Sequence, residues 1–272
     1  MNFQWALNIT CVLLLTGNLA CEKQPSYGDV LVYGHAGTTL YPERWVYPPN
    51  TLEAVTYALD VLHADGVEVD VQMTKDSVLV LYHDAFLDQH TKLSGCIATH
   101  NFNELQTLNV YRSSYSLTRL DEVTAFCMSR DKKIFLDLKP YDYCSMTNID
   151  YQTFNRSLNQ IILAYTPAQR ATMVVNTRNE DLLEGLSDTA IIKCFETENS
   201  SLGIEKCTTG QADELCFSYA ALTAETMHQL NDAGIKITIF GTKTQAEIEA
   251  GLGLAPFRII TDNIAYTRKR VK

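Results

Sequence analysis

The chain has 272 residues. That length is enough for one large domain, because α/β barrels commonly run to about 200–250 residues. The net charge is −10, from 22 basic and 32 acidic side chains. Such a chain lacks the basic face that binding to a nucleic acid backbone requires, so nucleic acid is not expected as a partner. A small phosphate-containing molecule stays compatible with this charge if a cation neutralises its site locally.

The first twenty residues have the composition of an export signal. Residues 5–15 are mostly apolar, and Leu19-Ala20-Cys21 offers small residues at a cleavage site. The apolar run is too short for a comfortable transmembrane helix. We therefore expect a signal peptide at 1–20, a linker at 21–28 and a single domain at 29–272. The protein is expected to be exported, to the cell envelope or the extracellular space.

Cys21 would become the first mature residue if cleavage falls just before it, which is the position lipidated in bacterial lipoproteins. A lipid there would be the only expected link to a membrane. The alternative is ordinary cleavage that leaves Cys21 unmodified. Export would also permit disulfides among the later cysteines. Cys194 with Cys207 is one candidate pair, and Cys216 is expected to be buried in a strand. The sequence has no C-x-x-C spacing, so a zinc site is not expected.

Strands and helices alternate from residue 30 to the end of the chain. The predicted strands of this alternation are 30–34, 66–70, 134–138, 172–175, 190–195, 215–219, 235–240 and 258–260. The predicted helices include 50–63, 103–108, 120–128, 154–164, 224–233 and 245–252. Eight strands separated mostly by helices is the count of a (β/α)8 TIM barrel, so we predict the α/β class and this fold.

The apolar run 78–82 does not join this count. Only residues 74–77 separate it from the preceding extended segment, which is too short for a parallel crossover. We predict that it is the return arm of a hairpin on the second strand, so that His83 comes back toward the barrel mouth. The insertion after the second strand then covers about 71–118 and is rich in loops.

Chemically active side chains stand at the C-terminal ends of the predicted strands, where barrel enzymes carry their active sites. Alternation along a strand places Glu68 and Asp70 on one face, about 7 Å apart. Asp137 and Lys139 share an inward face in the same way. The remaining residues at such ends are His35, Asn176, Glu196, Tyr219 and Asp262.

Glu68, Asp70 and Asp137 form a carboxylate set without sulfur ligands. Such a set selects a hard cation, which predicts Ca²⁺ or Mg²⁺, with Mn²⁺ as a further option. His35 and His83 are then free to act as the base and the acid of a phosphoryl transfer. Lys139 is predicted to bind a phosphate oxygen, the alternative being a plain salt bridge.

Six short motifs, in order and spacing, resemble the glycerophosphodiester phosphodiesterases, which have a phospholipase C-like barrel. The resemblance extends from about residue 30 to 263, and secreted, lipoprotein-like bacterial members are the most similar. The motifs are His35-Ala36-Gly37, Pro49-Asn50-Thr51-Leu52-Glu53-Ala54, Glu68-Val69-Asp70, Met73-Thr74-Lys75-Asp76, Tyr82-His83-Asp84 and Thr261-Asp262.

The resemblance implies the same barrel, with the hairpin insertion near the second strand. It also implies His35 and His83 as the acid–base pair, and a lysine near the phosphate at Lys139. The three carboxylates match the metal-binding positions. In the family's mechanism the glycerol 2-hydroxyl attacks phosphorus, and water opens the resulting cyclic phosphate. An attached nucleophile has the entropic advantage of proximity.

Three positions depart from the family pattern. Ala36 stands where the family has a phosphate-clamping arginine, and we take Arg44, in the following loop, as its candidate replacement in substrate binding. Asp137 stands where glutamate is usual. The seventh strand ends in Phe240-Gly241-Thr242, where the family often has a tryptophan.

The sequence therefore predicts a metal-dependent phosphoric diester hydrolase that cleaves glycerophosphodiesters to glycerol phosphate and an alcohol. One alternative is a phospholipase C- or D-like barrel that acts on intact lipid. The other is a lipoprotein that binds a phosphate ligand without turnover, which the absence of an arginine at Ala36 motivates. The sequence makes no prediction about oligomeric state.

Overall fold

The computed structural model describes residues 27–271. The predicted signal peptide, Cys21 and most of the predicted linker therefore lie outside the described residues. None of the helices within residues 27–271 is both long and apolar enough to cross a membrane.

Eight parallel strands close into a barrel, because each pairs with two neighbours and the first pairs with the last. The strands of the described chain are β1 (Leu31–Gly34), β2 (Gly66–Met73), β3 (Leu79–Leu81), β4 (Thr118–Arg119), β5 (Lys133–Leu138), β6 (Tyr141–Asp142), β7 (Thr147–Asn148), β8 (Met173–Thr177), β9 (Ile192–Glu196), β10 (Glu214–Ser218), β11 (Lys236–Thr242) and β12 (Arg258–Thr261). The barrel order is β1-β2-β5-β8-β9-β10-β11-β12, which confirms the predicted (β/α)8 fold.

The helices mostly follow the barrel strands and cover their outer face. They are α1 (Leu52–Thr56), continued by a π-helical turn (Tyr57–Val61), α2 (Phe102–Leu105), α3 (Leu120–Met128), α4 (Tyr151–Ile162), α5 (Pro167–Arg170), α6 (Glu180–Glu184), α7 (Ser200–Thr208), α8 (Ala224–Asp232), α9 (Gln245–Gly253) and α10 (Ile264–Arg268). The sequence missed α6 and α7, although Asn179 and Asn199 mark their starts by accepting hydrogen bonds from Leu182 and Leu202.

The two faces of β2 show how the barrel sorts its side chains. Val67, Val69 and Val71 pack in the apolar layer between the strands and the helices. Glu68 and Asp70 alternate with them and point inward, where both are buried. The interior is filled mainly by Tyr33, Phe135, Val174, Cys194, Cys216 and Ile260. Polar groups inside this barrel therefore need partners of their own.

A buried ion pair lies at the end of the barrel interior where the strands β10 and β12 begin. Arg258 Nη1 donates to Glu214 Oε2 at 2.8 Å and to Thr238 Oγ1 at 2.7 Å. The guanidinium also lies over the Tyr33 ring, 4.9 Å from its centroid. Both charged side chains are almost fully buried and compensate each other, and Lys236 Nζ lies 3.9 Å from the second oxygen of Glu214.

The segment after β2 forms the predicted hairpin. β3 runs antiparallel to β2, with Val71 opposite Leu81, and β4 extends the sheet on the other side of β3. The insertion has an apolar cluster of its own, separate from the barrel core, formed by Val80, Tyr82, Leu87, Ile97, Leu105, Val110, Tyr111 and Leu117. β2 reaches Met73, beyond the predicted residue 70, because its outer part pairs with the return arm.

One disulfide joins Cys96 in the insertion to Cys144 in the turn between β6 and β7. The predicted pairing of Cys194 with Cys207 is wrong, since both are free. Cys194 points into the barrel interior, whereas Cys207 lies on α7 and packs against the outer layer. The wall of the barrel separates them. Cys216 is buried in β10, as predicted.

Candidate active site

Three carboxylates meet inside one rim of the barrel. Glu68 and Asp70 come from β2, and Asp137 lies directly opposite Asp70 on the neighbouring strand β5. One oxygen of each lies within 4.8 Å of the other two. This is the set that the sequence proposes as metal ligands, and strand pairing brings its members together.

Each carboxylate has its second oxygen held by an N–H donor. The backbone N–H of Ala36 donates to Glu68 Oε2 at 2.7 Å. Asn50 Nδ2 donates to Asp70 Oδ2 at 2.8 Å, and Asn176 Nδ2 donates to Asp137 Oδ1 at 3.0 Å. The three side chains are therefore oriented before any ligand binds. The remaining oxygens form an all-oxygen donor set that fits a hard divalent cation.

Lys139 brings a positive charge to the same oxygens. Its Nζ lies 3.2 Å from Asp70 Oδ1 and also contacts Asp137 Oδ2. Burial opposes the charged ammonium, but the Asp137 and Asp70 carboxylates outweigh it and raise the pKa of Lys139. Burial and the neighbouring Asp70 raise the pKa of Glu68. The negative charges of the three carboxylates therefore repel one another, and a neighbouring cation reduces this repulsion.

His35 directly follows β1, and its backbone N–H donates to Thr261 O at 3.2 Å. Its Nδ1 lies 3.0 Å from Asp262 Oδ1, which also accepts the backbone N–H of Leu40. Burial disfavours the charged imidazole, but Asp262 and this hydrogen bond outweigh it and raise the pKa of His35 to about 9. Asp262 therefore orients the ring, so that Nε2 is the nitrogen left for other partners.

His83 follows the return arm of the hairpin. Gln72 Nε2 donates to Tyr82 O at 2.7 Å, and the phenol of Tyr111 accepts the backbone N–H of His83 at 3.3 Å. The ring Nδ1 lies 3.0 Å from Asp84 Oδ1. Burial again opposes the charged ring, and the hydrogen bond with Asp84 leads the groups that raise the pKa of His83.

A cavity of about 640 Å³ opens at this rim. His35, His83, Lys139 and the three carboxylates all contribute to its lining. The sequence did not select Tyr41, Tyr141, Tyr143, Arg178, Phe240 or Lys243 as site residues, and all of them line the cavity as well. The sequence contains a weak indication that Arg178 belongs to the site, because Arg178 comes two residues after the strand-end Asn176.

Arg44 lies at the edge of this region but is not among the lining residues. Its Nη1 donates to the carbonyl of Lys243 at 2.8 Å, and its guanidinium lies 5.4 Å from the centroid of the Tyr41 ring. Its role in substrate binding stays a prediction. Ala36 is fully buried and contributes its backbone N–H to Glu68, but no cation.

A larger groove, of about 880 Å³, runs along the outer face of α4. Its lining includes Asp150, Arg156 and Asp181, and none of the residues predicted to be catalytic. It has no converging carboxylates of the kind that the barrel rim presents. We therefore place the chemistry at the rim, in the smaller cavity.

Curated relatives match parts of the chain. The glycerophosphodiester phosphodiesterase of Bacillus altitudinis is 39% identical over 72 residues, which cover 26% of this chain and 29% of the relative. Glycerophosphodiester phosphodiesterase 1 of Bos taurus is 29% identical over 131 residues, covering 44% and 39%. An uncharacterised Bacillus subtilis protein is 27% identical over 143 residues, covering 50% and 55%. The chain spans about half or less of the length of these relatives.

Solved structures share the fold over almost the whole barrel. A phosphodiesterase of Oleispira antarctica aligns with a TM-score of 0.75 and 17% identity, covering 88% of this chain and 96% of the other. A glycerophosphodiester phosphodiesterase of Parabacteroides distasonis aligns with a TM-score of 0.72 and 18% identity, covering 89% and 96%. At these identities the likeness concerns the fold alone.

The sequence match to a protein family is broader. The glycerophosphoryl diester phosphodiesterase family matches residues 46–265, which include five of the six resembling motifs completely. The match extends over the hairpin insertion and seven of the eight barrel strands. The chain therefore belongs to the glycerophosphoryl diester phosphodiesterase family.

Proposed function

We propose that this protein is a metal-dependent phosphodiesterase that cleaves glycerophosphodiesters to glycerol phosphate and an alcohol. One observation carries the proposal: His35 and His83 line the same cavity as Glu68, Asp70 and Asp137. Two oriented imidazoles beside a carboxylate cluster provide both a proton acceptor and a proton donor near a site for a cation. Metal-assisted phosphoryl transfer can use all three.

The proton transfers follow from the orientation of the rings. One imidazole accepts the proton of the hydroxyl that attacks phosphorus, and the other donates a proton to the alkoxide that leaves. Asp262 and Asp84 hold the two rings through Nδ1, so the transfers take place at Nε2. Each positioned acid or base is expected to contribute about 10²–10⁴-fold to the rate.

Glu68, Asp70 and Asp137 would hold one divalent cation, Ca²⁺ or Mg²⁺, with Mn²⁺ as a further option. When bound, such an ion supplies positive charge to the phosphoryl oxygens as they become more negative. The hydrogen bonds on one oxygen of each carboxylate support this assignment, because they hold in place three carboxylates that have oxygens within 4.8 Å of one another.

The choice of substrate rests on the family and on one structural neighbour. The Oleispira antarctica phosphodiesterase was solved with its product sn-glycerol-3-phosphate, and its barrel aligns over 88% of this chain. We transfer that product class to this chain as part of the proposal. The cavity volume of about 640 Å³ is in the range of small-molecule sites.

The test is hydrolysis of a panel of glycerophosphodiesters, with added Ca²⁺, Mg²⁺ or Mn²⁺ and with EDTA. We expect release of glycerol phosphate that requires the ion, and a loss of about 10²-fold or more in kcat for His35→Asn and His83→Asn. His228→Asn is the matched control, because this histidine is exposed on α8, away from the cavity lining, and its ring pairs with Asp232. If all the diesters stay intact with every ion, the proposal is wrong.

A second candidate is the cleavage of intact lipid. Phe86, Tyr143 and Met146 are exposed by 38%, 42% and 69%, and Tyr143 belongs to the cavity lining. Exposed apolar side chains beside a cavity suit contact with a lipid surface. Faster turnover of phospholipid in liposomes than of soluble diesters would favour this candidate. The opposite ratio would favour the first.

We also propose that the protein acts outside the cytosol, in the cell envelope or the extracellular space. The disulfide between Cys96 and Cys144 supports this location, since disulfides persist in oxidising compartments. Lipid attachment at Cys21 is the accompanying proposal for a membrane link. Fractionation of cells that express the protein, beside a Cys21→Ala variant, tests both.

A further inference from the structure

A phosphodiester carries a negative charge, and it has to bind here beside three carboxylates. It therefore needs cationic hydrogen-bond donors in addition to the metal. Among the described residues, the lysines and arginines that line the cavity are Lys139, Arg178 and Lys243. Ala36 supplies only a backbone N–H, and that donor is already used by Glu68.

Two of these three cations are engaged elsewhere. The ammonium of Lys139 lies between Asp70 and Asp137 and balances their charge. Lys243 lies against the Tyr41 ring, with Nζ 5.9 Å from its centroid, and a hydrogen bond with Tyr41 is the first cause of its raised pKa. Arg178 lines the cavity with a side chain that is 64% exposed, and unlike the exposed Lys243 it carries a guanidinium.

One edge of the Arg178 guanidinium is hydrogen-bonded to Glu196. Its Nε and Nη2 both donate to Glu196 Oε1, at 2.7 Å and 2.5 Å. Glu196 Oε2 in turn accepts a hydrogen bond from Asn176 Nδ2 at 3.2 Å, and the same amide nitrogen donates to Asp137 at 3.0 Å. A chain of hydrogen bonds therefore connects the guanidinium to the carboxylate cluster.

The other edge of the guanidinium is free. No hydrogen bond from Arg178 Nη1 occurs within residues 27–271, and Nη2 keeps a second hydrogen beyond the one that it donates to Glu196. These two nitrogens form the planar fork that matches two oxygens of a phosphate. Because Glu196 already restricts the side chain, less rotamer entropy is lost when the fork binds.

We propose that Arg178 is the phosphate-binding arginine of this chain and that Glu196 is the residue that positions it. The inference rests on the proposed function and deepens it, by naming the group that recognises the phosphate in the absence of an arginine at position 36. The rival is Arg44, which contacts the carbonyl of Lys243 and lies outside the lining.

The test compares binding with turnover. Calorimetry measures the Kd of inorganic phosphate and of sn-glycerol 3-phosphate, with the divalent ion present, for wild type, Arg178→Gln, Arg178→Lys and Arg44→Gln. We expect Arg178→Gln to raise both Kd values about 10–100-fold, the range for a hydrogen bond to a charged group. Arg178→Lys should recover part of this loss, because it keeps the charge without the fork.

Two further variants separate recognition from stability. Arg130→Gln is the charge-matched control, because this arginine lies outside the cavity lining, where it contacts Asp60 and the Phe126 ring. It should leave Kd and KM unchanged. Glu196→Gln should raise Kd without a matching loss of thermal stability if it acts only through Arg178.

The outcomes separate this inference from the proposed function. If the wild type binds phosphate, Arg178→Gln weakens this binding as expected and neither protein cleaves a diester, the inference is supported while the proposed function fails. A Kd for Arg178→Gln within about twofold of wild type overturns the inference, whatever the activity, and so does a larger effect of Arg44→Gln. A wild type that binds neither phosphate ligand overturns it as well.

Discussion

Breaking the disulfide between Cys96 and Cys144 is expected to destabilise the domain and to loosen the mouth of the cavity. The bridge fastens the turn between β6 and β7 to the insertion. Tyr141 and Tyr143 belong to that hairpin region and line the cavity. A Cys144→Ser variant removes the bridge at its exposed end, where a serine hydroxyl is readily solvated.

The magnitude follows from the loop that the bridge closes. The two cysteines are 48 residues apart, and closing a loop of that length removes about 14 cal/mol/K of entropy from the unfolded chain. At 25 °C this corresponds to about 4 kcal/mol. For a domain of this size the loss corresponds to a decrease in Tm of about 8–16 °C.

The assay is thermal unfolding followed by circular dichroism, with and without a reductant. Cys207→Ser is the matched control, since Cys207 is free and half-buried on α7. Reductant should lower the Tm of wild type to that of Cys144→Ser and leave Cys144→Ser itself unchanged. The reasoning is refuted if Cys144→Ser unfolds within about 2 °C of Cys207→Ser, the scatter expected of a neutral surface substitution.

Three further changes test the packing and charge of the barrel. Gly34→Ala should destabilise by at least about 1–3 kcal/mol in urea unfolding, because its Cβ would lie 1.9 Å from Gly37 O. Arg258→Met should cost about 3–5 kcal/mol, since it leaves the buried Glu214 carboxylate with only the Lys236 ammonium, 3.9 Å from Oε1, as a cation. Glu249→Gln should show a pH-dependent loss. A hydrogen bond from Arg270 leads the causes that lower the pKa of Glu249 from 4.5 to about 2, so the wild-type advantage is complete above pH 4.5 and disappears as the pH falls toward 2.

Each of the three has an internal comparison. Gly253→Ala should be harmless, because no atom lies within 4 Å of the added Cβ. Arg258→Met combined with Glu214→Leu should recover stability relative to Arg258→Met alone, and a further loss would contradict the explanation that Arg258→Met leaves a buried charge with too little compensation. For Glu249→Gln, urea unfolding at pH 7 and pH 3 gives the comparison. A deficit that grows toward acid would reverse the expected sign.

Much of the site could be read from local patterns. The inward direction of Glu68 and Asp70 follows from strict alternation along an apolar strand. The four residues 74–77 are too few for a parallel crossover, so the next strand has to return antiparallel. That return brings His83 to the rim. These predictions succeed because each depends on the geometry of a few neighbouring residues, which hold wherever the segment finally lies.

The failures involve contacts that depend on how separate segments of the chain pack. Cys194 and Cys207 are close in sequence, but one faces the barrel interior and the other a helix outside it. Cys96 pairs with Cys144 only because the insertion packs against the hairpin of β6 and β7. Arg178 follows the end of its strand, where alternation no longer determines the direction of a side chain.

The sequence by itself determined the barrel, the inward carboxylates and the histidines at the strand ends, because strand period and connection length act locally. Only the tertiary structure decided which cysteines pair, which nitrogen of each histidine is engaged and which arginine reaches the cavity. Those outcomes depend on the register in which eight strands close and on where the insertion packs. Neither is contained in any single segment of the chain.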